Sequence, residues 1–97
     1  MLPHLEALVL DLLAAGAPTY GLDLVSSSGG RLKRGSVYVT LGRMEAKGLV
    51  RSTLDARPGA GPARRLYEPT SLGLRALVAT QIVAGDLPLG ALRRRQV

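Results

Sequence analysis

Residues 35–49 read GSVYVTLGRMEAKGL. Ser36 stands where a helix N-cap would stand, and Gly48 where a helix would end in the left-handed conformation. Between them Val37, Leu41 and Met44 recur at helical spacing and predict one buried face. Ser36, Thr40, Arg43 and Lys47 follow one another at spacings of four, three and four. That makes a second, polar stripe, pointing away from the first. Hydroxyls at a helix start with an arginine one turn later suit phosphate oxygens and base edges. Arginine bridges guanine's two acceptors, and threonine bonds a base or presses its methyl on thymine. Tyr38 and Val39 flank the stripe at its N-terminal end. The plainer reading is a solvated polar face with no partner, and the neighbouring elements decide between the two.

Upstream, PHLEALVLDLLAAG (3–16) predicts a helix with Pro3 in its first turn and Gly16 as its stop. Leu5, Leu8, Val9, Leu12 and Leu13 give it one apolar face. Thr19 is placed to cap a second helix over about 20–28 that buries Leu22 and Val25 and frays in SSSGG. Tyr20 is expected to wedge between the helices. Downstream the period changes. LVRSTLDA (49–56) and RRLYEPT (64–70) carry strand-favouring residues around RPGAGP, which is a loop by composition. Tyr67 reads as a packing residue. SLGLRALVATQIVAG (71–85) then predicts a helix capped by Ser71 and apolar nearly all round, and residues 86–97 add at most a turn before a charged end. Three helices and a hairpin, the second and third helices joined by a short turn, predict a mainly α winged helix-turn-helix. Residues 1–70 form the DNA-binding unit, and 71–97 a C-terminal helical dimerisation segment of the same compact body. In this architecture the third helix, here 35–48, enters the major groove and the wing, here 57–65, lies on the backbone.

At 97 residues the chain has room for one modest core. The composition is 46% apolar with a slightly positive mean hydropathy, which argues against disorder. The three tyrosines are its only aromatics, so Leu, Val and Ala must build the core. The absence of cysteine excludes disulfides and thiolate chemistry. No apolar run approaches the roughly 20 residues of a membrane span. Glu6 and Asp11 replace the cation of a signal peptide, so a soluble, cytoplasmic protein is expected. His4 is the only histidine and has no partner for catalysis or metal binding, and RPGAGPARR lacks the lysine and helix of a phosphate-binding loop. No acid pair, metal cluster or nucleophile constellation supports an enzyme, a cofactor or a metal. The net charge of +6 is unevenly placed. Residues 1–30 carry −3, residues 31–65 carry +7, and residues 66–97 carry +2. A basic block confined to the third helix and hairpin is the electrostatic footprint of a polyanion binder.

TYGLDL, GSVYVTLGRMEAKGL and RRLYEPTSLGLRAL together resemble the PadR family of bacterial transcriptional regulators. The family's Tyr-Gly pair matches Tyr20 and Gly21. The opening of its recognition helix matches Gly35, Ser36, Val37 and Tyr38, and the rest of that helix Leu41, Arg43, Met44, Glu45, Gly48 and Leu49. Past the wing, Arg65, Tyr67, Thr70 and Gly73 match. The resemblance covers roughly residues 5–77 and implies a dimeric DNA-binding regulator without enzymatic activity. Three positions depart from the pattern, one of them Thr40, which replaces a mid-helix leucine. Val39 stands where the family has a proline, and Gly42 replaces a mid-helix arginine. Gly42 costs its helix roughly 1 kcal/mol relative to alanine, which fits either a close backbone approach or a poorly optimised helix. Relatives that bind flat aromatic compounds between subunits use Trp or Phe. This chain has neither, and no effector is inferred.

These readings converge on a sequence-specific regulator of double-stranded DNA, of repressor type. The expected DNA contacts are Arg34, Ser36, Tyr38, Val39, Thr40, Arg43 and Lys47 at the helix, and Arg57, Arg64 and Arg65 at the wing. RRR at 93–95 is expected to be a solvated tail. A homodimer is expected through Leu5, Val9, Leu74, Leu77, Val78 and Ile82, because helices apolar on nearly every side must be covered on nearly every side. A twofold axis implies an inverted-repeat operator. The contrasting class is a winged-helix module whose basic surface docks an acidic protein.

Overall fold

A computed structural model describes residues 2–55 and 63–85. Its elements are α1 (His4–Ala14), β1 (Thr19–Tyr20), α2 (Gly21–Ser27), α3 (Val37–Ala46), β2 (Val50–Asp55), β3 (Arg64–Pro69) and α4 (Ser71–Ala84). Three helices lead into a hairpin, a fourth follows it, and the whole is a winged helix. β3 is the central strand of an antiparallel sheet ordered β1-β3-β2. Val50 pairs with Pro69 and Asp55 with Arg64, which fixes the hairpin register, while Thr19 pairs with Tyr67 on the other edge.

The core follows the helical periods. Val9, Leu10 and Leu13 of α1 meet Leu24 of α2 and the Val37, Leu41 and Met44 face of α3, the last three all 0% exposed. Tyr67 from β3 closes the sheet side, buried as expected of a packing residue. Desolvation, and then the nearby Glu45 carboxylate, push its phenol above the ordinary tyrosine value.

Several local expectations need correcting. Thr19 does not cap α2. Its hydroxyl donates to the Ala17 carbonyl at 2.7 Å, and it belongs to a two-residue strand with Tyr20 in the N-cap position. That strand takes its ladder bonds from β3, a competitor stronger than a cap. In α2 it is Leu24, not Leu22, that is buried, with Val25 half-buried. The link from α2 to α3 runs over residues 28–36 and is not short. Gly29 and Gly30 have positive φ there, and the buried Ser28 hydroxyl accepts from the Leu32 amide at 3.0 Å. Leu32 is thereby sunk into the core. Tyr20 is not wedged between helices. Its hydroxyl donates to the Asp55 carboxylate of β2, and the Arg64 guanidinium lies 4.1 Å from its ring centroid.

The end of α3 is built as anticipated. Gly48 takes φ +77°, its amide bonds Glu45 and the Leu49 amide reaches the Met44 carbonyl at 2.9 Å. These two bonds form a Schellman motif. Helix α4 is seated directly on it. Thr70, not Ser71, is the N-cap, accepting from the Gly73 amide at 3.0 Å. The same hydroxyl donates to the Gly48 carbonyl at 2.6 Å, and the Thr70 amide donates to the Leu49 carbonyl at 3.1 Å. Two adjacent hydroxyl residues are equivalent in sequence, and the tertiary bond selects the first. Gly73 makes the seating possible, because a Cβ there would lie 2.0 Å from the Leu49 oxygen.

Among the described residues no helix is long and apolar enough to cross a membrane. The expected final turn, 86–97, and the wing tip, 56–62, lie outside the described residues.

The junction makes a prediction. Gly73→Ala must push α4 off the Leu49 carbonyl and should cost at least about 1–3 kcal/mol, as overpacking of a fixed site does. Gly16→Ala, where a Cβ meets nothing within 4 Å, should leave stability unchanged or slightly raised. Chemical denaturation compares them, and equal midpoints for the two variants would refute the junction.

Candidate nucleic-acid interface

Burial of Val37, Leu41 and Met44 fixes the rotation of α3 about its axis. The side turned outward carries Tyr38, Val39, Gly42, Arg43, Glu45 and Ala46, all exposed. Tyr38 is 50% and Val39 56% exposed, side by side at the N-terminal end of the helix. Gly21 accommodates this arrangement, since a Cβ there would lie 2.7 Å from the Tyr38 ring. The Tyr-Gly pair of the second helix and the tyrosine of the third are therefore neighbours in space.

The polar stripe read from spacing does not survive intact. Ser36 is at the N-cap of α3 but makes no side-chain capping bond and is half-buried. Thr40 is only 8% exposed, on the shoulder of the buried face, and leaves the outward set. Lys47 donates to both oxygens of Glu6 at 3.0 and 2.9 Å. Glu6 is a nearly buried carboxylate on α1, and removing the half-exposed Lys47 would leave that buried charge uncompensated, so this cation is engaged by the fold. The outward face of α3 is carried by Tyr38, Val39 and Arg43.

The remaining cations divide the same way. Arg51 bonds Glu68 across the hairpin at 2.6 Å. Arg65 donates to the Ser52 hydroxyl at 3.1 Å, and Ser52 donates to Glu45 of α3 at 2.8 Å, which ties the wing to the helix. Arg64 lies on the Tyr20 ring, a contact worth about 0.5–1 kcal/mol at an exposed site. Arg57 lies outside the described residues. The side chains of Lys33 and Arg34, in the turn entering α3, of Arg43 on its outer face and of Arg75 on α4 form no hydrogen bond or ion pair among the described residues. Lys33 is not among the residues expected from sequence. Its backbone carbonyl accepts from the Ser36 and Val37 amides, which plants it at the helix entrance.

The expected interface residues also separate. Val9 and Leu77 are buried within the protomer, in its single hydrophobic core, and leave that set. Leu5, Leu74 and Ile82 stay exposed and Val78 half-buried, joined by Leu72 and Val83. Among the described residues no group of His, Cys, Asp or Glu could hold a metal ion.

Comparison with known proteins accords with this geometry. No curated protein matches the chain. Among solved structures, a PadR family transcriptional regulator from Eggerthella lenta DSM 2243 is 30% identical, over 96% of this chain and 82% of that one, with a TM-score of 0.74. A PadR family regulator from Clostridium difficile R20291 is 27% identical, over 81% and 84% of the two chains, with a TM-score of 0.71. Bacillus subtilis PadR, solved in complex with operator DNA, shares the fold at 21% identity and a TM-score of 0.71, over 81% of this chain and 47% of that one. The model of the transcriptional regulator PadR-like family matches residues 9–79, the span that runs from α1 through the wing into α4. The chain therefore belongs to the PadR-like family of transcriptional regulators, and it is a regulator and not an enzyme.

Proposed function

We propose that the protein is a cytoplasmic, homodimeric, sequence-specific binder of double-stranded DNA that acts as a repressor. One observation carries the reading. Among the described residues four cations are left untied, and three of them, Lys33, Arg34 and Arg43, are gathered at the entrance and outer face of α3, where an exposed Tyr38 and Val39 accompany them; the fourth, Arg75, is on α4. Helix α3 enters the major groove with Arg43 on a base edge and Tyr38 and Val39 against methyl groups. Lys33 and Arg34 hold phosphates, as does the wing through Arg57, Arg64 and Arg65. Residues 1–70 form the DNA-binding unit. Residues 71–97 supply the dimer seam, in which the exposed Leu74, Val78 and Ile82 of α4 meet a second copy alongside Leu5 of α1. A twofold of this kind matches an operator that is an inverted repeat with half-sites one DNA turn apart.

Lys33, Arg34 and the three wing arginines of each protomer give a dimer up to about ten phosphate contacts, so affinity should fall roughly 10³–10⁵-fold between 50 and 200 mM salt. Fluorescence anisotropy against a duplex enriched from a random pool measures it, and a nearly flat titration would instead favour an acidic protein as partner. With the same duplexes, Arg43→Ala should cost about 1–3 kcal/mol on the enriched site and relax one base position, whereas Arg34→Ala should weaken enriched and random DNA alike. An unchanged enriched-to-random ratio for Arg43→Ala would remove it from base reading.

The seam has its own test. Ile82→Asp puts a charge into an apolar interface without touching any element assigned to DNA. Sedimentation should show a dimer for the wild type at micromolar concentration and a monomer for the variant, with DNA affinity collapsing in parallel. A folded wild-type monomer would refute the dimer.

A further inference from the structure

Gly42 stands in the middle of α3, where glycine costs a helix most. Three structural demands ordinarily explain such a residue, and none applies. Its φ is not positive, unlike those of Gly29, Gly30, Gly48 and Gly85. No described element crowds it, because an added Cβ would meet nothing within 4 Å. It lies four residues short of the end of the helix and so has no capping role. Gly21 and Gly73 differ. An added Cβ would meet the Tyr38 ring at 2.7 Å from the first and the Leu49 oxygen at 2.0 Å from the second, so glycine there is accounted for inside the fold.

Position supplies what packing does not. Opposite the buried Val37, Leu41 and Met44, the helix turns out Val39, Gly42, Arg43 and Ala46, with Gly42 next to Arg43 and one turn from Val39. Any long side chain at 42 would stand between the helix axis and a surface that α3 faces, and would hold the shorter Val39 away from it.

We propose that Gly42 sets the depth at which α3 enters the major groove. The bare backbone at this point lies against the base edges, which brings the Val39 methyls to a thymine methyl and lets Arg43 reach a guanine directly. Gly42 is thus a specificity-determining residue that acts through what it lacks. The proposal rests on the DNA-binding reading above and deepens it.

The signature is an opposition of sign. Gly42→Ala removes a helix penalty and should raise the thermal midpoint by roughly 4–8 °C. The same methyl lifts α3 from the bases, so affinity for a duplex enriched by the wild-type protein should fall at least about tenfold, with random duplex changed less than about twofold. Gly42→Leu should extend the loss on the enriched site while remaining folded. The full chain is used throughout, with thermal unfolding and anisotropy measured on the same preparations. Wild-type protein that enriches no duplex overturns the DNA reading and this inference with it. If wild type enriches a site and Gly42→Ala binds it as tightly, this inference alone falls. A lowered thermal midpoint for Gly42→Ala also overturns it, because the glycine would then serve the fold.

Discussion

Everything the molecule presents to a partner depends on the burial of Val37, Leu41 and Met44 against α1 and α2. Fully burying one such side chain contributes about 1.5–3 kcal/mol. Three together approach the whole net stability of a small domain, about 5–15 kcal/mol. No arrangement of the polar residues of α3 could compete with that, so the apolar stripe sets the rotation of the helix and the rest of its surface follows. Tyr38, Val39, Gly42 and Arg43 face outward because they lie opposite the stripe. Thr40 is drawn inward because it lies on its shoulder.

Charge is divided by the fold in the same way. A strongly basic segment looks like a single electrostatic surface, but the fold uses part of it internally. Lys47 anchors the C-terminal end of α3 to α1 through Glu6. Arg65, Ser52 and Glu45 join the wing to the helix, and Tyr20 with Asp55 and Arg64 joins it to the short first strand. These links hold helix and wing in one frame, a requirement for touching groove and backbone of one duplex together. Long-range electrostatic attraction persists for tied and untied cations alike. The untied ones make short contacts without giving up an internal partner, whereas Arg64 and Arg65 must exchange one. The junction of Gly48, Leu49, Thr70 and Gly73 carries that frame on to α4, so the helix with the exposed apolar face is rigidly referenced to α3.

Much of this is legible in the sequence, and the exceptions have physical causes. The buried face of α3, its Gly48 stop and both hairpin strands are readable because period and turn chemistry are local. The two-residue strand at Thr19 has no period to detect and exists only through its pairing with β3. Thr40 and Lys47 depart from expectation because spacing gives an angle about the helix but not which neighbours cover its edges. Glu6, the partner of Lys47, is 41 residues away in the chain. Val9 and Leu77 read as seam residues because an apolar face does not say whether its cover comes from its own protomer. The meeting of Gly21 with Tyr38 and of Gly73 with Leu49 also has no local signal. In both cases the sequence shows a glycine and only the fold shows what approaches it.

The central claim is that a single face, set by the rotation of α3, meets DNA. Backbone amide shift mapping by NMR during titration with a mixed-sequence duplex tests it most directly. The account predicts saturable shifts concentrated in residues 33–43 and at Arg64 and Arg65, with the amides of α1 essentially unmoved. Shifts concentrated on α4, or absent from the turn and outer face of α3, would contradict it.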